Sequence, residues 1–175
     1  MADHAVPAPS FASAMELTTL WLGQWEAGEL SEEVLADRVG QLVSSRDGAR
    51  GFFVVALAGD GPLMDRLPEP IAMQLSSAGA AVVDLTARNL AMSTAMAVHH
   101  RRQGDGDQQG RSLRVQRRCQ ELLQHLESAL VTSRLETLLA GTADVGVDRE
   151  FLERWGYDQE QKQAIAAAID AVAMA

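Results

Sequence analysis

The chain has 175 residues, of which 47% are hydrophobic, so it is long enough to form one domain with a sizeable core. Its formal net charge of −9 argues against a dedicated DNA- or RNA-binding domain, because such domains are usually basic. The single cysteine, Cys119, excludes an internal disulfide and a zinc site built from several thiolates. It also fits a reducing compartment, and the first residues lack the pattern of a secretory signal, so we expect a cytoplasmic protein.

The first third of the chain predicts a tail followed by helices. Residues 1–9 include two prolines and few residues to bury, so we expect a disordered tail. Ser10 is a typical N-cap for a helix that ends before Gly28, and Ser31, followed by two glutamates, starts a second helix. We predict that everything from residue 10 to residue 175 forms a single helical domain.

The segment GFFVVALAG, residues 51–59, is ambiguous between helix and strand. Its five consecutive apolar residues from Phe52 to Ala56 suit a buried helix or a buried strand equally well. Asp47 as a cap and Gly59 as an end would frame a helix, whereas a lone strand would lack a partner. We predict a helix, and an α+β fold with a short strand at 51–57 is the alternative.

The stretch from Pro70 to Gln103 predicts a long helix, with Gly79 as a point where it could kink. One helix face is followed by Leu75, Val82, Leu85, Asn89, Met92 and Met96, and a second apolar face and a ridge of alanines run beside it. A helix that is apolar on nearly all sides is buried. The sequence therefore predicts an all-α helical bundle around a long buried central helix. Asp84, Arg88 and Asn89 would be costly in lipid, so we expect no membrane span.

The remaining sequence predicts a turn and further helices. The glycines and aspartates from Gly104 to Gly110 indicate a flexible turn between two antiparallel helices. Cys119 lies on the apolar stripe of the helix that follows. Asp148 is a predicted cap of a short helix, and Asp158 with Gln161 has the spacing of a capping box for the last one.

Few residues suggest a catalytic centre. His99 and His100 are adjacent and point about 100° apart on a helix, so they cannot readily share a metal ion. Cys119 has no histidine within one turn, which favours a buried thiol over a nucleophile. We predict no metal site and no cofactor. A pocket that includes Asn89, His99 and His100 remains the basis of an alternative, in which the protein is an enzyme.

The strongest functional signal is a group of arginines in an otherwise acidic chain. Six fall within eighteen residues: Arg101, Arg102, Arg111, Arg114, Arg117 and Arg118. A hairpin turning at residues 104–110 would bring the first two level with Arg111 and Arg114. Nearby carboxylates are too few to neutralise all six, and the guanidinium fork suits bidentate capture of carboxylate or phosphate. The competing interpretation is an ordinary solvated face or a set of internal ion pairs.

These observations favour a non-enzymatic helical adaptor or accessory protein. We expect the arginines to dock an acidic protein surface or a phosphate-bearing partner. Association with nucleic acid through the same arginines is a weaker alternative, because the net charge of −9 opposes it. The composition leaves open whether the chain forms a homo-oligomer.

Three parts of the sequence resemble uncharacterised proteins of cyanobacterial genomes. They are ARGFFVVALAGDGPLMD, NLAMSTAMAVHHRR with the later RVQRR, and FLERWGYD. The resemblance covers most of the chain from about Trp21. It implies no activity, cofactor or site residue.

Overall fold

The structure, a computed structural model, describes the backbone of residues 6–174 and the side chains of residues 6–172. The helices are α1 (Phe11–Glu26), α2 (Glu32–Leu42), α3 (Arg46–Ala58), α4 (Glu69–Ser77), α5 (Ala80–Arg102), α6 (Gly106–His125), α7 (Ser128–Thr142), α8 (Asp148–Arg154) and α9 (Gln159–Met174). No strand occurs in this part of the chain, so the all-α prediction is confirmed. The ambiguous segment lies in α3, which confirms helix over strand there.

The chain divides into two compact units, residues 1–78 and residues 79–175. The single domain expected for residues 10–175 therefore stays a prediction. Of the expected disordered tail, residues 1–5 lie outside the described part, and residues 6–10 precede α1 without helix or strand. Ser10 caps α1 by accepting a hydrogen bond from the Ser13 amide, as predicted.

The predicted long helix is two helices. Gly79 has φ of +75°, in the left-handed region that interrupts a helix, and it separates α4 from α5. The kink that the sequence allows at Gly79 is therefore a complete break between two helices. The part after Gly79 is confirmed as a buried helix, because α5 packs against α6, α7 and α9 at the centre of the second unit.

The burial of α5 differs from the expected pattern in one respect. On the first predicted face Val82 is buried, whereas Leu85, Asn89 and Met92 are half-buried and Met96 is exposed. The other apolar face and the alanine ridge form the core, where the buried residues include Val83, Ala87, Leu90, Ala91, Thr94, Ala95 and Val98. The small side chains lie on the inside because they let neighbouring helices approach the α5 backbone closely.

In the first unit, α1 packs against α3 and α2 packs against α4. The α1–α3 crossing is close at Gly51, where an added Cβ would lie 2.5 Å from the Ala14 Cβ and 2.8 Å from the Phe11 carbonyl oxygen. Ser45 caps α3 by accepting from the Gly48 amide at 3.1 Å. Asp47 instead occupies the first turn of α3, so its predicted role as the cap is wrong.

Polar contacts hold α9 in the second unit. Asp158 and Gln161 form the predicted capping box, in which each side chain accepts from the other's amide at 3.0 Å. The Gln161 Nε2 also donates to the Ala95 carbonyl of α5 at 3.1 Å, and this bond is buried. Gln120 of α6 donates to the Ala168 carbonyl at 3.0 Å. The start and the middle of α9 are therefore tied to two different helices.

An ion-pair network joins α5, α7 and α8. The Arg134 Nε donates to Asp84 Oδ1 at 2.9 Å, and its Nη2 donates to Asp148 Oδ1 at 3.1 Å. Burial lowers the pKa of Arg134, but hydrogen bonds with Asp148 and Asp84 outweigh that effect, so the pKa is raised. Asp148 is buried in this contact, and Val147 is the N-cap of α8. The predicted role of Asp148 as the cap is therefore wrong.

Replacing Gly51 with Ala should destabilise the first unit by about 1–3 kcal/mol, because the new methyl group would press on the α1 backbone. Gly23→Ala is the matched control, since no neighbouring atom lies within 4 Å of a Cβ added inside α1. The control should leave stability unchanged or raise it by up to about 1 kcal/mol. Denaturant unfolding followed by circular dichroism measures both. Equal effects of the two changes would contradict the close α1–α3 crossing.

Candidate functional site

The turn between α5 and α6 is shorter than predicted. It consists of residues 103–105, in which Gly104 has φ of +70° and Asp105 caps α6 by accepting from the Gln108 amide at 3.1 Å. Arg111 consequently lies five residues inside α6, more than one helical turn past the start. The expectation that Arg111 and Arg114 stand level with Arg101 and Arg102 is therefore wrong.

Arg101 and Arg102, at the end of α5, face carboxylates at the start of α9. The Arg102 Nη1 donates to Asp158 Oδ2 at 2.6 Å and its Nη2 to Asp158 Oδ1 at 3.1 Å, which is a bidentate pair. Arg102 Nε also donates to Glu160 Oε2 at 3.1 Å, and Arg101 pairs with the other oxygen of Glu160. Two arginines and two carboxylates thus offset each other's charge. Asp158 lies 56 residues from Arg102 in sequence, so only the fold reveals this partner.

The ion pairs change the titration of both carboxylates. Hydrogen bonds from Arg102 lower the pKa of Asp158 to about 2 and also lower the pKa of Glu160. A lowered pKa means that the stabilisation is present above the unfolded-state value and is lost as the pH falls towards about 2. All four side chains are at least one-third exposed, so the contribution to stability is small.

The arginines of α6 do not share one surface. Successive residues of a helix are about 100° apart, which puts Arg111, Arg114 and Arg118 on one face and Arg117 on another. Arg111 is exposed, Arg114 is half-buried and Arg118 is only 1% exposed. Arg117 is 58% exposed and lies 4.0 Å from the Glu121 carboxylate. The cluster expected from the sequence is therefore divided.

Arg118 cannot present its guanidinium to a partner as expected. It stands three residues after Val115 and four before Leu122, so it lies beside the apolar stripe of α6. The helix buries that side, and among the side chains of residues 6–172 Arg118 is the largest that is fully buried. The spacing of Arg118 from Val115 and Leu122 can be read from the sequence, and it indicates that Arg118 belongs to the core-facing side.

The other candidate residues have ordinary surroundings. The Asn89 Nδ2 donates to the Leu85 carbonyl of its own helix at 2.8 Å. The rings of His99 and His100 are 5.5 Å apart in an edge-to-face arrangement, and His99 is exposed. Within the described residues, no three metal-ligating side chains come together. Burial raises the pKa of the Cys119 thiol to about 12, so it is protonated and unreactive at neutral pH.

Asn89 and His99 are ten residues apart on α5, which corresponds to about 15 Å along the axis. A pocket that includes Asn89, His99 and His100 would have to extend over that distance, and it stays a prediction. The second unit has two grooves, and neither is lined by Asn89, His99 or His100. One of about 470 Å³ lies between the end of α6, α7 and α9, and one of about 330 Å³ lies between α6 and α9 above α5.

Comparison with protein families assigns the chain to one of them. It belongs to the family described as uncharacterised conserved protein UCP020893, whose model matches residues 10–172. Neither curated proteins nor solved structures gave a match. Among the helices of residues 6–174, none is both long enough and apolar enough to span a membrane. The cyanobacterial source implied by the sequence resemblance stays a prediction.

Charge reversal should distinguish the two ends of the arginine face. Arg118→Glu should destabilise the protein by several kcal/mol, because it places a carboxylate in a buried position built for a cation. Arg111→Glu should change stability by about 0–1 kcal/mol, because Arg111 is exposed. Thermal unfolding of both variants measures the difference. An Arg118→Glu protein as stable as Arg111→Glu would show that residue 118 is accessible to water.

Proposed function

We propose that this family member is a non-enzymatic helical accessory protein of the cytoplasm that docks an anionic partner through exposed arginines near the α5–α6 turn. The observation that supports the proposal is the environment of Arg111. This residue is exposed, and it makes no ion pair with any other residue of the described part of the chain. An uncompensated guanidinium in a chain of net charge −9 offers a distinct attachment point for an anion.

The remaining arginines contribute unequally to this proposed surface. Arg117 is exposed, but it lies on a different face of α6 from Arg111 and 4.0 Å from the Glu121 carboxylate. Arg101 keeps free N–H groups beyond its bond to Glu160, but its charge is already offset there. Arg102 is engaged by two carboxylates, and Arg118 is buried. The proposed surface therefore centres on Arg111 rather than on all six residues.

The chemistry of the partner follows from the guanidinium group. A planar fork of N–H donors matches the two oxygens of a carboxylate or a phosphate. An acidic protein surface or a phosphate-bearing partner would satisfy it. Nucleic acid is the weaker alternative, since the acidic chain as a whole would repel the phosphate backbone.

Capture from a native lysate tests the proposal with two matched variants. Arg111→Glu reverses the charge at the proposed surface, and Arg154→Glu makes the same change at an exposed position in the last turn of α8. At least one acidic protein, or one phosphate-bearing species other than nucleic acid, should be retained by the wild type and by Arg154→Glu and lost by Arg111→Glu. Its retention should fall as salt is raised, because salt screens exposed charges.

Two results would contradict the docking proposal. In one, every species captured by the wild type is captured equally by Arg111→Glu. In the other, the species that depends on Arg111 is DNA or RNA, which would favour the nucleic-acid alternative.

A further inference from the structure

The groove of about 470 Å³ in the second unit has the form of a binding site. One face of α7 lines it from Ser128 to Leu139, a distance of about 16 Å along the helix axis. The end of α6 and the last turns of α9 form the other walls. Its volume lies within the range of about 300–1,000 Å³ that is usual for small-molecule sites.

The floor of this groove is apolar. It consists of aliphatic side chains from three helices: Leu123, Leu126, Val131, Leu135, Leu139, Ile169 and Val172. All but Leu139 are more than nine-tenths buried, so they are fixed by packing and provide a preformed surface. Leu139 is 37% exposed at one end of the groove, and covering it with an apolar group would be favourable.

The charges on the rim have one sign. Glu136 on α7 and Asp170 on α9 both line the groove, and both are exposed. Neither forms an ion pair within the described side chains, and no basic residue lines the groove. The other polar groups on the rim, from Gln124, Ser128 and Thr132, are neutral.

We propose that this groove binds a small amphipathic amine, with its ammonium group between Glu136 and Asp170 and its aliphatic part on the apolar floor. Both carboxylates would attract an ammonium group, which would offset one of their two negative charges, whereas they would repel a carboxylate ligand. The binding of the apolar part is favoured because its surface leaves water. The groove and the arginine surface share no residue, so this site is independent of the proposed docking function.

Titration with decylammonium tests the proposal, and decanoate and decanol are matched probes of the same chain length. Decylammonium should bind the whole protein with saturation at one equivalent, in isothermal titration calorimetry below its micelle concentration. Decanol should bind about tenfold more weakly because it lacks the charge, and decanoate more weakly still. The methyl resonances of Leu135 and Ile169 should shift during the titration.

Two pairs of variants locate the ammonium and the chain. Glu136→Gln with Asp170→Asn removes both carboxylates at constant shape and should weaken decylammonium binding about tenfold. Glu150→Gln with Asp107→Asn is the control, with the same charge change at exposed positions outside the groove. Thr132→Phe should fill the groove and abolish binding, whereas Thr19→Phe, at an exposed position of α1, should have no effect.

The proposal is overturned if decylammonium shows no saturable binding, or if Thr132→Phe leaves its affinity unchanged. Equal binding of decylammonium and decanoate would also overturn it, because the rim charges would then have no role. The same holds if the variant without the two carboxylates binds decylammonium as tightly as its control does.

Discussion

The burial of α5 is the constraint on which the second unit depends. Its inner side carries Ala87, Ala91 and Ala95, which are fully buried, and these small side chains allow α6, α7 and α9 to pack close to one helix. Buried hydroxyl groups also occur on α5, and the Thr86 hydroxyl is satisfied by the carbonyl of Val82 at 2.7 Å. The packing against α5 sets the positions of α6, α7 and α9. Because the candidate sites lie on these helices, their geometry also depends on α5.

Polar contacts then fix the helices that α5 organises. Gln161 binds the Ala95 carbonyl, Arg134 bridges Asp84 and Asp148, and Arg102 engages Asp158. Breaking the buried members of this set would leave a charge or an amide without a partner, which is costly away from water. The exposed ion pair between Arg102 and Asp158 affects the charge of the surface more than the stability of the fold. It uses up cationic charge that would otherwise be free for a partner, and it concentrates the proposed docking surface on Arg111.

Local features of the fold could be predicted from the sequence, and long-range pairing could not. The α9 capping box, the Ser10 cap and the helical state of α3 depend on neighbours within a few residues, and all three are confirmed. The carboxylate partners of Arg102 lie on another helix, and periodicity contains no information about them. The burial of Arg118 lies between these cases, because its spacing from Val115 and Leu122 places it beside the apolar stripe. The groove on α7 requires three helices to meet, and no single stretch of sequence indicates it.

Native-state hydrogen exchange measured residue by residue tests the central role of α5 most directly. If the second unit is built around α5, the amides of Leu90 to Ala95 should exchange only through global unfolding of that unit. The amides of the short helix α8, most of whose side chains face water, should exchange much faster through local opening. Exchange in α5 as fast as in α8 would contradict the account.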